Sequence, residues 1–215
     1  MRTFLIIGAL ALASFAVAEP ASAASAAGAE LLVRHEVNDY GAWRKAYDAF
    51  RPTQKQMGVT AQAVYQAMDN PNDVTVTHDF KTEAEARAFA GSDKLKTAMK
   101  NSGVKGPPQL WFGKVTPGAS SKAEHVCLFV RHEVNDYATW RKAYDAFRPT
   151  QKQMGVTGQA VYQSADNPNE VTVTHDFKTE TEARAFATSE KLKNAMQNAG
   201  VKGAPQVWIT IRAAK

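Results

Sequence analysis

The chain of 215 residues holds a single cysteine, Cys127, so no disulfide can form within it and stability has to come from packing. It has no Cys-x-x-Cys, no His-x-x-x-His and no two-histidine, one-carboxylate spacing inside a single element, which removes the usual sequence signatures of a metal centre. A G-x-S-x-G nucleophile elbow and a G-x-x-x-x-G-K-[ST] phosphate loop are missing too. The stretches GVKGPP and GVKGAP are turns, because each precedes a strand instead of opening a helix. Nor is there a block of one charge sign. The formal charge of +5 arises from 26 Lys and Arg against 21 Asp and Glu, interleaved in stretches such as RHEVND, KTEAEAR and SDKLK. This describes a mixed, solvated surface and excludes the basic stripe of a nucleic-acid binder.

Long apolar runs are also scarce. The longest, Phe4 to Val17, has about 14 residues and is punctuated by Gly8 and Ser14, short of the roughly 20 a membrane span needs. With Arg2 before it and small residues after it, the segment reads as a signal peptide over residues 1–23, cut after Ala23 or, alternatively, after Ala18. The mature protein is therefore expected to be soluble, periplasmic or secreted, with no membrane partner once the signal is removed.

What the sequence has in abundance is repetition. Arg34–Trp111 aligns without a gap on Arg131–Trp208 at an offset of 97, with 64 identities in 78 positions. Solenoid units repeat every 20 to 50 residues or so because each is a single supersecondary element; a unit of about 85 residues can enclose its own core. The expected layout is a first repeat over 30–115, a linker over 116–125 and a second repeat over 126–212.

Within the first repeat, Leu31–Val37 has strand composition, and Asn38 or Asp39 can cap a helix bearing Tyr40, Trp43, Tyr47, Phe50 and Met57 near one face. Pro52 should kink or restart that helix, and Gly58 should end it. Val59–Met68 and Asp73–Lys81 read as a hairpin around Asp69-Asn70-Pro71-Asn72. Thr82 and Glu85 form a capping box, Ser92 caps a further short helix, and Pro108–Val115 supplies the last strand. The order is the βαββαβ pattern of a ferredoxin-like unit, an α+β class. Such a unit leaves one sheet face uncovered, so the two copies are expected to pack sheet to sheet.

The stretches VNDYxxWRKAYDAF, DNPNDVTVTHDF and AMKNSGVKGPPQLW resemble the dimeric α/β-barrel superfamily, and within it the antibiotic-biosynthesis monooxygenases. The resemblance covers about 80 residues of each copy. It implies that a pairing usually made by two chains is made here inside one, as an intrachain pseudo-dimer that is monomeric as a whole. It also implies a small-molecule ligand, either in a cofactor-independent monooxygenase or cyclase acting on an aromatic or polyketide-like compound, or in a non-catalytic, stress-associated barrel.

Strand alternation sorts the candidate residues. His35 and His78, repeated as His132 and His175, share parity with the apolar residues of the helix-covered face. They are either hydrogen-bonded core residues or proton-transfer groups, an imidazole titrating near pH 6.5. Each pair is expected side by side, on the assumption that the first and third strands run parallel. The opposite parity carries Arg34, Glu36 and Asp79, with Arg131, Glu133 and Asp176 in the second copy. Arg34 and Glu36 could orient a carbonyl or phenolate, and Asp79 could act as a base; alternatively these charges only pair across the seam. Tyr65, Trp111, Tyr162 and Trp208 would line a pocket or simply pack. A ligand site between the sheets should measure about 300 Å3 or more. No cofactor and no metal is expected: a His35/His78 pair alone offers too few ligands for an ion, and nothing selects haem.

Overall fold

The computed structural model describes residues 28–115 and 126–214; the expected signal segment and linker lie outside the described residues. The first copy runs β1 (Ala29–Val37), α1 (Tyr40–Gln56), β2 (Ala61–Ala67), β3 (Asp73–Phe80), α2 (Glu83–Ala90), α3 (Asp93–Asn101) and β4 (Val104–Val115). The second repeats it as β5 (Val126–Val134), α4 (Tyr137–Gln153), β6 (Gly158–Ser164), β7 (Glu170–Phe177), α5 (Glu180–Ala187), α6 (Glu190–Asn198) and β8 (Val201–Arg212).

Local chemistry sets these boundaries. Asp39 caps α1 by accepting from the Ala42 N–H at 2.7 Å, and Thr82 with Glu85 closes a reciprocal capping box on α2. Gly58, at φ 96°, supplies the left-handed residue that turns the chain out of α1 toward β2. The helix does not restart at Pro52, and α1 continues through it. That residue is exposed, so the carbonyl left without its usual donor lies on the wet side of the helix, where water can serve it. The last strand also starts earlier than expected, at Val104, and passes through Pro107 and Pro108. Both prolines fall in the bulge of the β1–β4 ladder, between Gln109 opposite Arg34 and Lys105 opposite Glu36, and β4 joins β6 only through Gly113–Val115, so the missing N–H groups interrupt no ladder.

The strands close into one antiparallel barrel in the order β1-β3-β2-β8-β5-β7-β6-β4. Each copy is a ferredoxin-like half, and the halves join at two edges as well as face to face: Tyr65–Ala67 pair with Thr210–Arg212, and Gly113–Val115 pair with Tyr162–Ser164. Gly113 is required at its seam, because a Cβ there would stand 2.9 Å from the Cβ of Tyr162. The architecture is therefore an intrachain pseudo-dimeric α/β barrel. Its helices lie outside, and separate apolar clusters fill the helix side and the barrel interior.

Candidate functional site

Alternation along β1 divides the candidate residues between two compartments. Leu31, Val33, His35 and Val37 face the helices; Glu30, Leu32, Arg34 and Glu36 face the barrel or its rim. The helix-side compartment of the first copy is a cavity of about 40 Å3 walled by β1, β3, α1 and α3, with Trp43, Tyr47, Gln54, His35 and His78 among its lining. The second copy holds a matching cavity of about 40 Å3 around Trp140, Tyr144, Gln151, His132 and His175. This volume admits a water or a very small group in the closed state.

The chemistry of that cavity comes from polar groups held in an apolar wall. Tyr47 Oη lies 3.2 Å from His78 Nε2, with Tyr144 and His175 at 3.3 Å in the other copy. Trp43 stacks on Tyr47 at 5.0 Å and stands 5.5 Å from the His35 ring, which fixes both rings in place. Both nitrogens of His35, Nδ1 of His78 and Oε1 of Gln54 are buried without a protein partner, and the same set recurs as His132, His175 and Gln151. Such unmet groups are costly inside a fold, and in a functional protein they point to a ligand or water. Burial pushes His35 down to about 4, slightly offset by the charge of Asp73, and pushes His78 down to about 3 with help from His35. His132 and His175 follow, to about 4 and about 3, again chiefly through burial. All four imidazoles are therefore neutral at pH 7. Burial likewise drives the Tyr47 and Tyr144 hydroxyls well above their usual range, so each stays protonated and can donate.

The expected side-by-side histidines are not found. β1 and β3 are antiparallel, with His35 opposite Val74 and His78 opposite Leu31. The helix α1 returns the chain so that β2 runs with β1, and the hairpin then reverses β3. His35 and His78 are thus four register positions apart, roughly 13 Å along the strands, and meet only as opposite ends of one cavity wall.

The barrel compartment is built differently. Leu32, Tyr65, Trp111, Cys127, Phe129, Ala160, Tyr162 and Trp208 form one buried cluster. Trp111 meets Trp208 edge-on at 6.2 Å, and Phe129 stacks on Trp208 at 5.1 Å. Trp208 Nε1 donates to Thr75 Oγ1 of the other copy at 3.0 Å. Arg34 sits 4.4 Å over the Trp208 ring while pairing with Asp73 at 2.6 Å; Arg131 sits 4.8 Å over Trp111 while pairing with Glu170. These rings and cations occupy the space in which a pocket of some 300 Å3 was expected. Glu36 and Glu133 are exposed and pair with Lys105 and Lys202 at 3.0 and 2.9 Å, so they belong to the rim and not to a cavity.

Two groups in the barrel escape a sequence reading that begins the strand at Leu31. Glu30 is buried directly opposite Asp79, and burial together with the Asp79 charge raises its carboxyl to about 8, although Thr77 and Tyr162 hydrogen-bond to it. Burial also raises Asp79. In the second copy Cys127 replaces Glu30, opposite the buried Asp176, and burial raises that thiol far enough to make it a poor nucleophile. Tyr47 and Gln54 were missed as site residues as well. The signal was the spacing: Gln54 falls seven residues after Tyr47, on the apolar stripe of α1, where an amide needs a reason to be.

Among the described residues no group of three or more His, Cys, Asp or Glu is placed to hold a metal ion. Each cavity offers two histidines, and its volume is far below that of a macrocycle.

No protein-family model and no curated protein sequence matches the chain. Solved structures do. A monooxygenase-like protein from Fusobacterium nucleatum aligns at a TM-score of 0.64 and 8% identity, covering 88% of this chain and 94% of its own. An anthrone oxidase-like protein aligns at 0.62 and 12%, covering 87% and 92%. A further monooxygenase-like protein, from Lactobacillus acidophilus NCFM, aligns at 0.56 and 12%, covering 86% and 94%. At these identities the likeness establishes the dimeric α/β-barrel fold over almost the whole described chain.

Proposed function

We propose that this chain is an exported small-molecule-binding α/β barrel in which each copy takes a ligand into its helix-side cavity. The chemistry assigned to it is cofactor-independent oxygenation or cyclisation of an aromatic or polyketide-like compound. The observation that carries the reading is the repeated set of buried, unpartnered histidine and glutamine atoms around an otherwise apolar cavity. In this reading Tyr47 and Tyr144 donate to Nε2 of His78 and His175, whose Nδ1–H is left to donate to the ligand, and the neutral His35 and His132, free at both nitrogens, accept a hydrogen bond or a proton from it. Arg34, Asp79 and their counterparts hold the barrel together and take no part in the chemistry.

A non-catalytic role as a ligand-binding or stress-associated barrel is the second reading, and two magnitudes favour it. An effective general base has a pKa near the working pH, whereas these histidines stand at about 4 and about 3. A cavity of about 40 Å3 must also open before a ring can enter. Native mass spectrometry of protein recovered from its source, followed by an oxygen-uptake screen with polyphenols, separates the two. Turnover abolished by His78→Gln and His175→Gln supports the enzyme; a retained ligand without turnover supports the binder; neither ligand nor turnover removes both.

A further inference from the structure

Beside each helix-side cavity, where α1 or α4 ends, lies an open groove, of about 660 Å3 in the first copy and about 510 Å3 in the second. Its lining is cationic. Arg51, Lys55 and Lys81 face Glu85 alone in the first groove, and Arg148, Lys152 and Lys178 face Glu182 alone in the second. Each carboxylate is already engaged: Glu85 and Glu182 accept the Thr82 and Thr179 backbone N–H at 3.1 Å in their capping boxes. Arg51 and Arg148 lean on Asp48 and Asp145, at 3.1 and 3.3 Å. The four lysines are exposed, and none is engaged by a carboxylate of the groove.

Groove and cavity adjoin at the carboxyl end of α1 or α4. Gln151, 1% exposed, lines both the second groove and the second cavity; its Nε2 stands 3.5 Å from His175 Nε2, and its Oε1 has no partner. In the second copy one residue, Gln151, therefore borders both the buried imidazole and an outer chamber with excess positive charge. In the first copy Gln54 lines the cavity, and its backbone carbonyl accepts the N–H of Val59, a residue of the groove wall, at 3.1 Å. A chain this evenly charged has no general need for such a concentration, and a lysine serving only the carboxyl end of a helix accounts for Lys55 but not for Lys81, which precedes α2.

We infer that each groove is the anion-binding vestibule of its cavity, and that the ligand is an organic acid, held by its carboxylate or phosphate against the two lysines and the arginine while its uncharged end points toward the histidine. The inference rests on the helix-side cavity being the ligand site. It names the ligand by its charge.

The test compares benzoate, phenyl phosphate and the neutral benzamide on the full chain, by calorimetry or ligand-observed NMR. The acids should bind at least about tenfold more tightly than benzamide, and the advantage should shrink at high salt. Whichever acid binds better identifies the head group. In the Lys55→Gln, Lys81→Gln, Lys152→Gln, Lys178→Gln variant the advantage should disappear while circular dichroism and benzamide binding stay unchanged, since all four side chains are exposed. Equal binding of acid and amide, or an advantage that survives the lysine variant, overturns the inference and leaves the cavity reading standing. An acid advantage unaffected by filling the cavities with Ala46→Leu and Ala143→Leu overturns the cavity reading, and with it the vestibule role, leaving two isolated anion sites.

Discussion

The hydroxyl of Tyr47 stands 3.2 Å from His78 Nε2 and supplies the hydrogen bond that holds this buried imidazole. Tyr47→Phe should therefore leave His78 unsatisfied and lower stability by about 1–2 kcal/mol in chemical unfolding. Adding Tyr144→Phe should cost about as much again, because the two cavities lie in different copies and share no residue. A loss near zero for either change would mean that water already serves the imidazole.

Acid should weaken the fold through the same histidines. Their folded pKa values, about 4 and about 3, lie below the ordinary 6.5, so between these limits the unfolded chain binds more protons. Their contribution is fully present above pH 6.5 and is lost as the pH falls through about 4. Urea midpoints measured from pH 7 down to 4 should decline, and should decline less in His78→Phe with His175→Phe. Identical pH slopes in variant and parent would contradict the assignment.

Glu30 carries the opposite sign. Its folded pKa of about 8 exceeds the ordinary 4.5, so its contribution is present below 4.5 and is lost as the pH rises through about 8. Glu30→Gln should match the parent near pH 5 and exceed it in stability at pH 9. Cys127, its counterpart, offers a natural control: Glu30→Cys should abolish the same alkaline loss.

The barrel interior should behave as core. Trp208 stacks on Phe129, carries Arg34 over its face and donates to Thr75, so Trp208→Ala should cost about 3–5 kcal/mol in unfolding. Gly113→Ala should destabilise through its clash with Tyr162 at the edge that closes the barrel. Tolerance of both changes would reopen the barrel as a ligand chamber.

Much of this organisation was legible in the residues themselves. A period of two along β1 and β3 placed the histidines on the helix side and Arg34 and Asp79 on the other, since alternation is local. Strand direction is not local: it depends on how many times the chain reverses between β1 and β3, and a parallel reading put His35 and His78 side by side when they are four register positions apart. The filling of the barrel was hidden for a similar reason. Trp111 and Arg131 come from different copies, and only the closure of the barrel sets one over the other. Gln54 was visible as a polar residue on an apolar stripe, a signal outweighed by its aromatic neighbours Tyr47 and Phe50.

A crystal structure of protein recovered with its native ligand tests most directly whether the working site lies under the helices. Ligand density beside His35, His78 and Tyr47, with its matching site at His132, His175 and Tyr144, is the expected result. Density inside the barrel, with Trp111 and Trp208 displaced to admit it, would contradict it.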